Sequence, residues 1–191
     1  MRPLGRKTHS CPDVTEGPLM RMYASSTLTV MVLSLVSGHP GCAQTCGSPE
    51  QAEVAKALKD AKATLQQDLT ASLREGTPIS GKFEVEDGKL QLSVYTMTEG
   101  KLSEVIVDDA TGKAVETEAI TGGEDLTPAE AQREAMAKAK RDLRTAVDAA
   151  IKAHAGSRAV SVVPALKEGH PVATITPATG DAVTTVSEQL D

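Results

Sequence analysis

Asp87-Gly88 separates two runs in which apolar residues fall on every second position, and this pattern dictates a β-hairpin in the middle of the chain. Phe83 and Val85 precede the pair; Leu90, Leu92 and Val94 follow it. Period-two alternation gives each strand one apolar face, and Asp-Gly supplies the positive φ angles of a type I′ turn. Glu99-Gly100 turns the chain again, towards Val105 and Val107. Asp109-Ala110-Thr111-Gly112 turns it into a fourth run, with Val115, Thr117 and Ala119 expected on one face. Strands joined by short turns form an antiparallel meander whose apolar face needs a cover.

The segment before the meander supplies that cover. Ser48-Pro49-Glu50-Gln51 has a capping residue, a proline at the first helical position and a capping-box partner. Val54, Leu58, Ala61, Leu65, Leu69 and Leu73 then recur every three or four residues. The spacing predicts one long helix of about 25 residues, stopped by Gly76 and Pro78.

A second helix-then-strands pattern follows the linker at 121–126. Thr127-Pro128-Ala129-Glu130 reads as another capping box, and Met136, Ala139, Leu143, Val147, Ala150, Ile151 and His154 line one helical face. Gly156 ends the helix. Strand-like runs cover Ala159–Val163, Val172–Thr176 and Ala182–Val186, one strand fewer than in the first half, with Pro164, Pro171 and Pro177 expected to interrupt them and guard an edge. Ala110-Thr111-Gly112-Lys113-Ala114-Val115-Glu116-Thr117 matches Ala178-Thr179-Gly180-Asp181-Ala182-Val183-Thr184-Thr185 at six of eight positions. The match points to internal duplication. The expected fold class is α+β: two tandem units, 48–120 and 127–191, each a long helix packed on a small antiparallel sheet.

Residues 1–43 are expected to be an export leader. Leu28–Val36 is a short apolar run, preceded by Arg21 and followed by Gly41 and Ala43 at the spacing a signal peptidase requires. Met20 and Met22 are alternative starts. Cys42 offers a lipid attachment point, although His39 and Pro40 depart from a lipoprotein signal; a membrane association is expected only if Cys42 is lipidated. Cleavage after Ala43 leaves Cys46 alone, which excludes a disulfide framework. Four of the 20 Lys and Arg and two of the 26 Asp and Glu go with the leader, leaving 16 against 24, a net charge of −8. Such an acidic chain, with only three aromatic residues (Tyr23, Phe83 and Tyr95), is no nucleic-acid binder.

The run Val107-Asp108-Asp109-Ala110-Thr111-Gly112-Lys113-Ala114-Val115, after a helix and short antiparallel strands, resembles the PepSY domain. The likeness covers about 50–120. A degenerate second copy, keeping Ala178-Thr179-Gly180 but with Thr176-Pro177 in place of Asp108-Asp109, covers about 127–188. PepSY domains occur in propeptides of thermolysin-type metallopeptidases and as secreted, periplasmic or membrane-attached bacterial modules. The resemblance implies a non-catalytic binding module that modulates or inhibits a secreted or periplasmic peptidase, and it carries no catalytic residues. The alternative is a structural envelope protein or lipoprotein scaffold without a peptidase partner.

The residues themselves name no catalytic, cofactor or metal site. His154 and His170 stand apart, without a His-Glu-x-x-His motif. Cys46 has no neighbour that lowers its pKa. Glu84 and Glu86 share the outer face of a strand, while Asp108 and Asp109 stand where aspartates bond backbone donors in a turn. Lys138, Lys140, Arg141 and Arg144 mix with Glu134, Asp142 and Asp148 on a solvated helix face.

Overall fold

The computed structural model describes residues 49–191, so Ser48, Cys42, Cys46 and the expected leader lie outside the described residues. Helices α1 (Pro49–Ala57) and α2 (Leu65–Ser72) lead into strands β1 (Thr77–Glu86), β2 (Lys89–Thr98), β3 (Lys101–Asp108) and β4 (Lys113–Ala119). Helices α3 (Leu126–Lys138) and α4 (Leu143–Ala153) lead into β5 (Arg158–Lys167), β6 (His170–Thr179), β7 (Ala182–Val183) and β8 (Val186–Gln189). All eight strands join one antiparallel sheet in the order β4-β3-β2-β1-β5-β6-β7, with β8 also pairing β6.

The first half folds as its turns dictate. Asp87 and Gly88, and again Glu99 and Gly100, take the paired positive φ angles of tight hairpins. Phe83 faces Leu92, and Leu92 faces Val107; Gly81 faces Val94, and Val94 faces Val105. These residues form two neighbouring rows on one inward face.

Each expected long helix is instead a pair. After Ala57 the chain tightens into three-residue turns, in which Lys59, Asp60 and Ala61 donate to Lys56, Ala57 and Leu58. Thr64 then caps α2 with a full capping box to Gln67. Asp142 caps α4 by accepting from the Thr145 backbone N–H. The expected box at Thr127 does not form: α3 starts at Leu126, and the Asp125 side chain accepts from the Tyr95 hydroxyl at 2.5 Å.

The second half holds four strands, not three, because Ala182–Val186 divides into β7 and β8 around Thr184-Thr185. Pro164, Pro171 and Pro177 sit inside β5 and β6, buried, and guard no edge. Pro164 is tolerated because β5 pairs with β1 only at Gly81–Val162 and Lys82–Ser161, so no ladder to β1 extends as far as Pro164. The eight-residue match is also out of structural register. Strands β1 and β5, and likewise β2 and β6, start at an offset of 81 (158 − 77 and 170 − 89). At that offset Gly180 corresponds to Glu99, in the turn after the second strand of its half, whereas Gly112 follows the third.

The same offset relates Gly81 to Val162, which pair with each other. The two halves therefore meet at equivalent residues. The β-bulges agree: Ile79 in β1 and Val160 in β5 are each skipped by their partner strand. At Gly81 an added Cβ would lie 3.1 Å from the Leu69 side chain, so glycine lets α2 settle on β1.

The two halves share a main core. Leu65, Leu69, Phe83, Leu92 and Val105 from the first half join Leu143, Val147, Val160, Val162 and Ile175 from the second. A smaller cluster gathers Ile79, Leu102 and Ala129 with Tyr95, Met97 and Met136. Tyr95 and Met97 alternate with Val94, so this cluster lies on the other sheet face, covered by α3. Val115, expected to point inward, is 64% exposed. It is the extra residue of a bulge, since Ile106 faces Glu116 and Val107 faces Ala114.

Phe83 is fully buried in the shared core. Phe83→Ala is expected to cost about 3–5 kcal/mol. Because both halves contribute to that core, urea unfolding followed by far-ultraviolet circular dichroism should keep one transition, moved to lower urea, rather than split in two.

Candidate functional site

Three groups converge on the break between α1 and α2. The Arg158 guanidinium donates to the carbonyls of Leu58 (2.6 Å), Ala61 (2.9 Å) and Ala63. These oxygens lie along the break between α1 and α2, where the Leu58 carbonyl also accepts from the Ala61 N–H, and Arg158 ties them to the first residue of β5. From the turn joining β3 to β4, the Asp109 carboxylate accepts the backbone N–H groups of Lys62 (3.1 Å) and Ala63 (3.2 Å). From the turn joining β6 to β7, Asp181 pairs with Lys59 at 2.7 Å. Both Ala-Thr-Gly segments thus border the same linker. The Lys59–Asp181 pair is exposed on both sides and contributes little.

The β3–β4 turn is built to hold its shape. Asp108 accepts from the Thr111 backbone N–H (2.8 Å) and hydroxyl (2.7 Å). These bonds, the hydroxyl first, hold the Asp108 carboxyl below its usual pKa. Gly112 takes a φ of 63°, which favours glycine.

Asp68 lies beneath this turn, in the first turn of α2. The residue is 1% exposed, and neither carboxylate oxygen has a hydrogen-bond partner. Burial, then the charge of Asp109, pushes its pKa up from 3.8 to about 7; Arg158 opposes the shift and Asp108 adds to it. Beside it opens a shallow cavity of about 240 Å³, lined by Lys62, Gln67, Asp68, Asp109, Thr111 and Gly112 among others. Among the described residues no group of three His, Cys, Asp or Glu is arranged to hold a metal.

The turn opens directly into β4, which ends the sheet. Strand β4 pairs with β3 on one side, and no described strand pairs with the other. The opposite edge is cut into the short β7 and β8, so β4 offers the longest run of free edge among the described residues. Glu118 stands directly opposite Glu104, and Glu116 opposite Ile106. These three carboxylates therefore share one sheet face. The Ser93 hydroxyl donates to Glu104.

The other residues weighed in the sequence lie apart. His154 caps the end of α4, and its carbonyl accepts from Ser157. His170 begins β6, with its ring 2.8 Å from Asp191. Glu84 pairs with Lys82 at 3.1 Å, while Glu86 accepts from Gln91. Of the basic residues near α4, Arg141 binds the Gln189 carbonyl, Arg144 lies 3.9 Å from Asp148, and Lys138 lies 4.0 Å from Glu134. The mixed face is as expected. Sequence reasoning placed Asp108 and Asp109 in a turn but missed Asp68, Arg158 and the linker that join them. Thr64-x-x-Gln67 was the available signal, since a capping box inside a helical stripe marks a new helix start.

No family model, curated protein or solved structure matches the chain.

Two predictions follow from this geometry. Arg158→Ala should destabilise the fold by about 1.5–3 kcal/mol, the range for hydrogen bonds to a charged group, measured as a shift in urea midpoint. Asp68 sets a pH dependence. The unfolded carboxyl ionises near its ordinary value, the folded one near 7. The stability it allows is complete below the unfolded pKa, falls as pH rises between the two values, and is lost above the folded one. Asp68→Asn should therefore raise the melting temperature at pH 8 and give little gain at pH 4.

Proposed function

We propose that this chain is an exported, non-catalytic PepSY-like binding module that modulates or inhibits a secreted peptidase. An extended segment of the peptidase adds to the sheet along β4. The observation that carries this reading is the free β4 edge, continuous with the turn that bears the PepSY-like residues. Strand addition gives affinity through main-chain hydrogen bonds and specificity through alternate side chains. The row Glu104, Glu116 and Glu118 favours a segment with basic residues at alternate positions.

The two halves are, on this proposal, tandem copies of one helix–helix–strands unit, the second degenerate and ending in two short strands. The offset of 81 between β1–β2 and β5–β6, the matched bulges and the pairing of Gly81 with Val162 support duplication. The linkers support it as well. Lys62 and Ala63 donate to Asp109, while Lys140 and Arg141, their counterparts at the offset of 78 between the caps Thr64 and Asp142, donate to the Leu190 carbonyl; residue 190 is 109 advanced by the strand offset of 81.

The test is titration of thermolysin-type and other secreted peptidases with the exported chain, reading residual activity. Saturable inhibition without cleavage of the chain is expected. Successive residues of a strand point their N–H groups to opposite sides, so one of Thr117→Pro and Glu118→Pro removes a donor from the free side. That variant should keep the wild-type melting temperature and weaken inhibition at least tenfold. No inhibition across the panel would discard the peptidase reading in favour of a scaffold.

A further inference from the structure

Asp68 is a buried acid without a donor. Facing it are Asp108 and Asp109 from the β3–β4 turn and Arg158 from β5. Lys62, from the linker, lines the same cavity. Arg158 gives hydrogen bonds to Leu58, Ala61 and Ala63, so what reaches Asp68 is its field. Gly112 roofs the carboxyl, since a Cβ added there would lie 3.9 Å from Oδ1. Both oxygens are closed to solvent. A proton is the ligand that fits them without lifting the roof.

Neighbouring Asp109 is committed elsewhere. Its charge holds the Lys62 and Ala63 amides and thereby fastens the linker to the turn. Burial disfavours ionisation of the inner carboxyl, Asp68, and the Asp109 charge adds to the cost. The inner carboxylate gains hydration by displacing the turn above it. The Asp108–Thr111 bonds keep that turn intact as it moves.

We propose that Asp68 and the β3–β4 turn form a proton-operated latch: neutral Asp68 leaves Asp109 holding the α1–α2 linker, and ionised Asp68 drives the turn off α2, releasing the linker and the start of β4. The proton lost goes to solvent. Burial and the neighbouring Asp109 charge raise the Asp68 pKa to about 7, which sets the latch near neutrality. Any effect on partner binding rests on the β4 reading above; the movement of the turn does not.

The test is nuclear magnetic resonance of the chain between about pH 5 and about pH 9, a window that spans the latch midpoint. The Asp68 carboxyl carbon and the Lys62 and Ala63 amides should shift with one common midpoint near neutrality. Above it, amide exchange at Lys113–Thr117, corrected for intrinsic rate, should speed up about tenfold or more. Asp68→Asn should abolish the shared midpoint. Asp109→Asn should leave the linker amides rapidly exchanging at every pH.

An Asp68 carbon titrating in the ordinary carboxylate range overturns the latch, and this needs no variant to fold. So does a midpoint near neutrality that leaves Lys62, Ala63 and β4 unmoved. A midpoint that survives Asp68→Asn belongs to another group and overturns it too. If the turn moves as described but no peptidase is inhibited at either pH, the latch stands and the β4 reading falls.

Discussion

One guanidinium ties the two halves of the chain together at the α1–α2 linker. Arg158 gathers the carbonyls of Leu58, Ala61 and Ala63 at the point where α1 stops and α2 has not begun. The Leu58 carbonyl also accepts from the Ala61 N–H, but a helix end leaves its last oxygens without α-helical partners, and a buried carbonyl left unpaired costs free energy. Arg158 satisfies three with a planar fork of donors, a task for which lysine lacks the geometry. It also does so from the second half of the chain, so the helices of the first half are fastened to the first residue of β5. Ala159 and Val160 follow it directly into the shared core. The linker and the start of β5 are therefore tied by one side chain.

The shared strand offset makes the differences between the halves informative. Both linkers present two successive amides to the end of the neighbouring strand region, and both are answered at the corresponding place. In the second half the answer is a carbonyl, that of Leu190, which does not titrate. In the first it is a carboxylate, Asp109, set over a second buried carboxylate, Asp68. At the cap offset of 78 (Thr64 to Asp142), the counterpart of Asp68 is Ala146, which is buried in the core. An alanine there makes an unremarkable helix contact. The same packing problem is solved twice, once with neutral groups and once with two acids, and the acidic solution adds sensitivity to pH.

Features held within a few residues could be read from the sequence. Asp87-Gly88 and Glu99-Gly100 fixed their hairpins because the turn chemistry and flanking alternation are local. Asp108 could be placed in a turn because its partner, Thr111, is three residues away. The helix break was hidden, since the apolar stripe runs through Leu58 and Ala61 without losing its period. What ends α1 there is partly Thr64 and partly Arg158, about a hundred residues distant. Pairing of β1 with β5 rests on two residue pairs and leaves no local pattern. The repeated Ala-Thr-Gly run misled about register because the same turn composition suits any hairpin of this sheet. Asp68 was invisible for a different reason: an aspartate in the first turn of a helix is ordinary, and its oddity appears only when the β3–β4 turn closes over it.

A free strand edge is an aggregation hazard unless something opposes indiscriminate pairing. At the far side of the sheet the opposition is brevity, since β7 and β8 are too short and too broken to template much. β4 is longer and has other means. The bulge at Val115 twists it and spoils the register of an incoming strand. Charge does the rest. Were β4 to pair antiparallel with β4 of a second copy, centred on Thr117, Glu116 of each would face Glu118 of the other. Like charges directly opposite destabilise a strand pair, and Glu104 behind Glu118 deepens the repulsion. The edge thus rejects its own kind while leaving its main-chain groups available to a strand that brings positive charge. Selectivity of this sort comes as much from what is refused as from what is attracted.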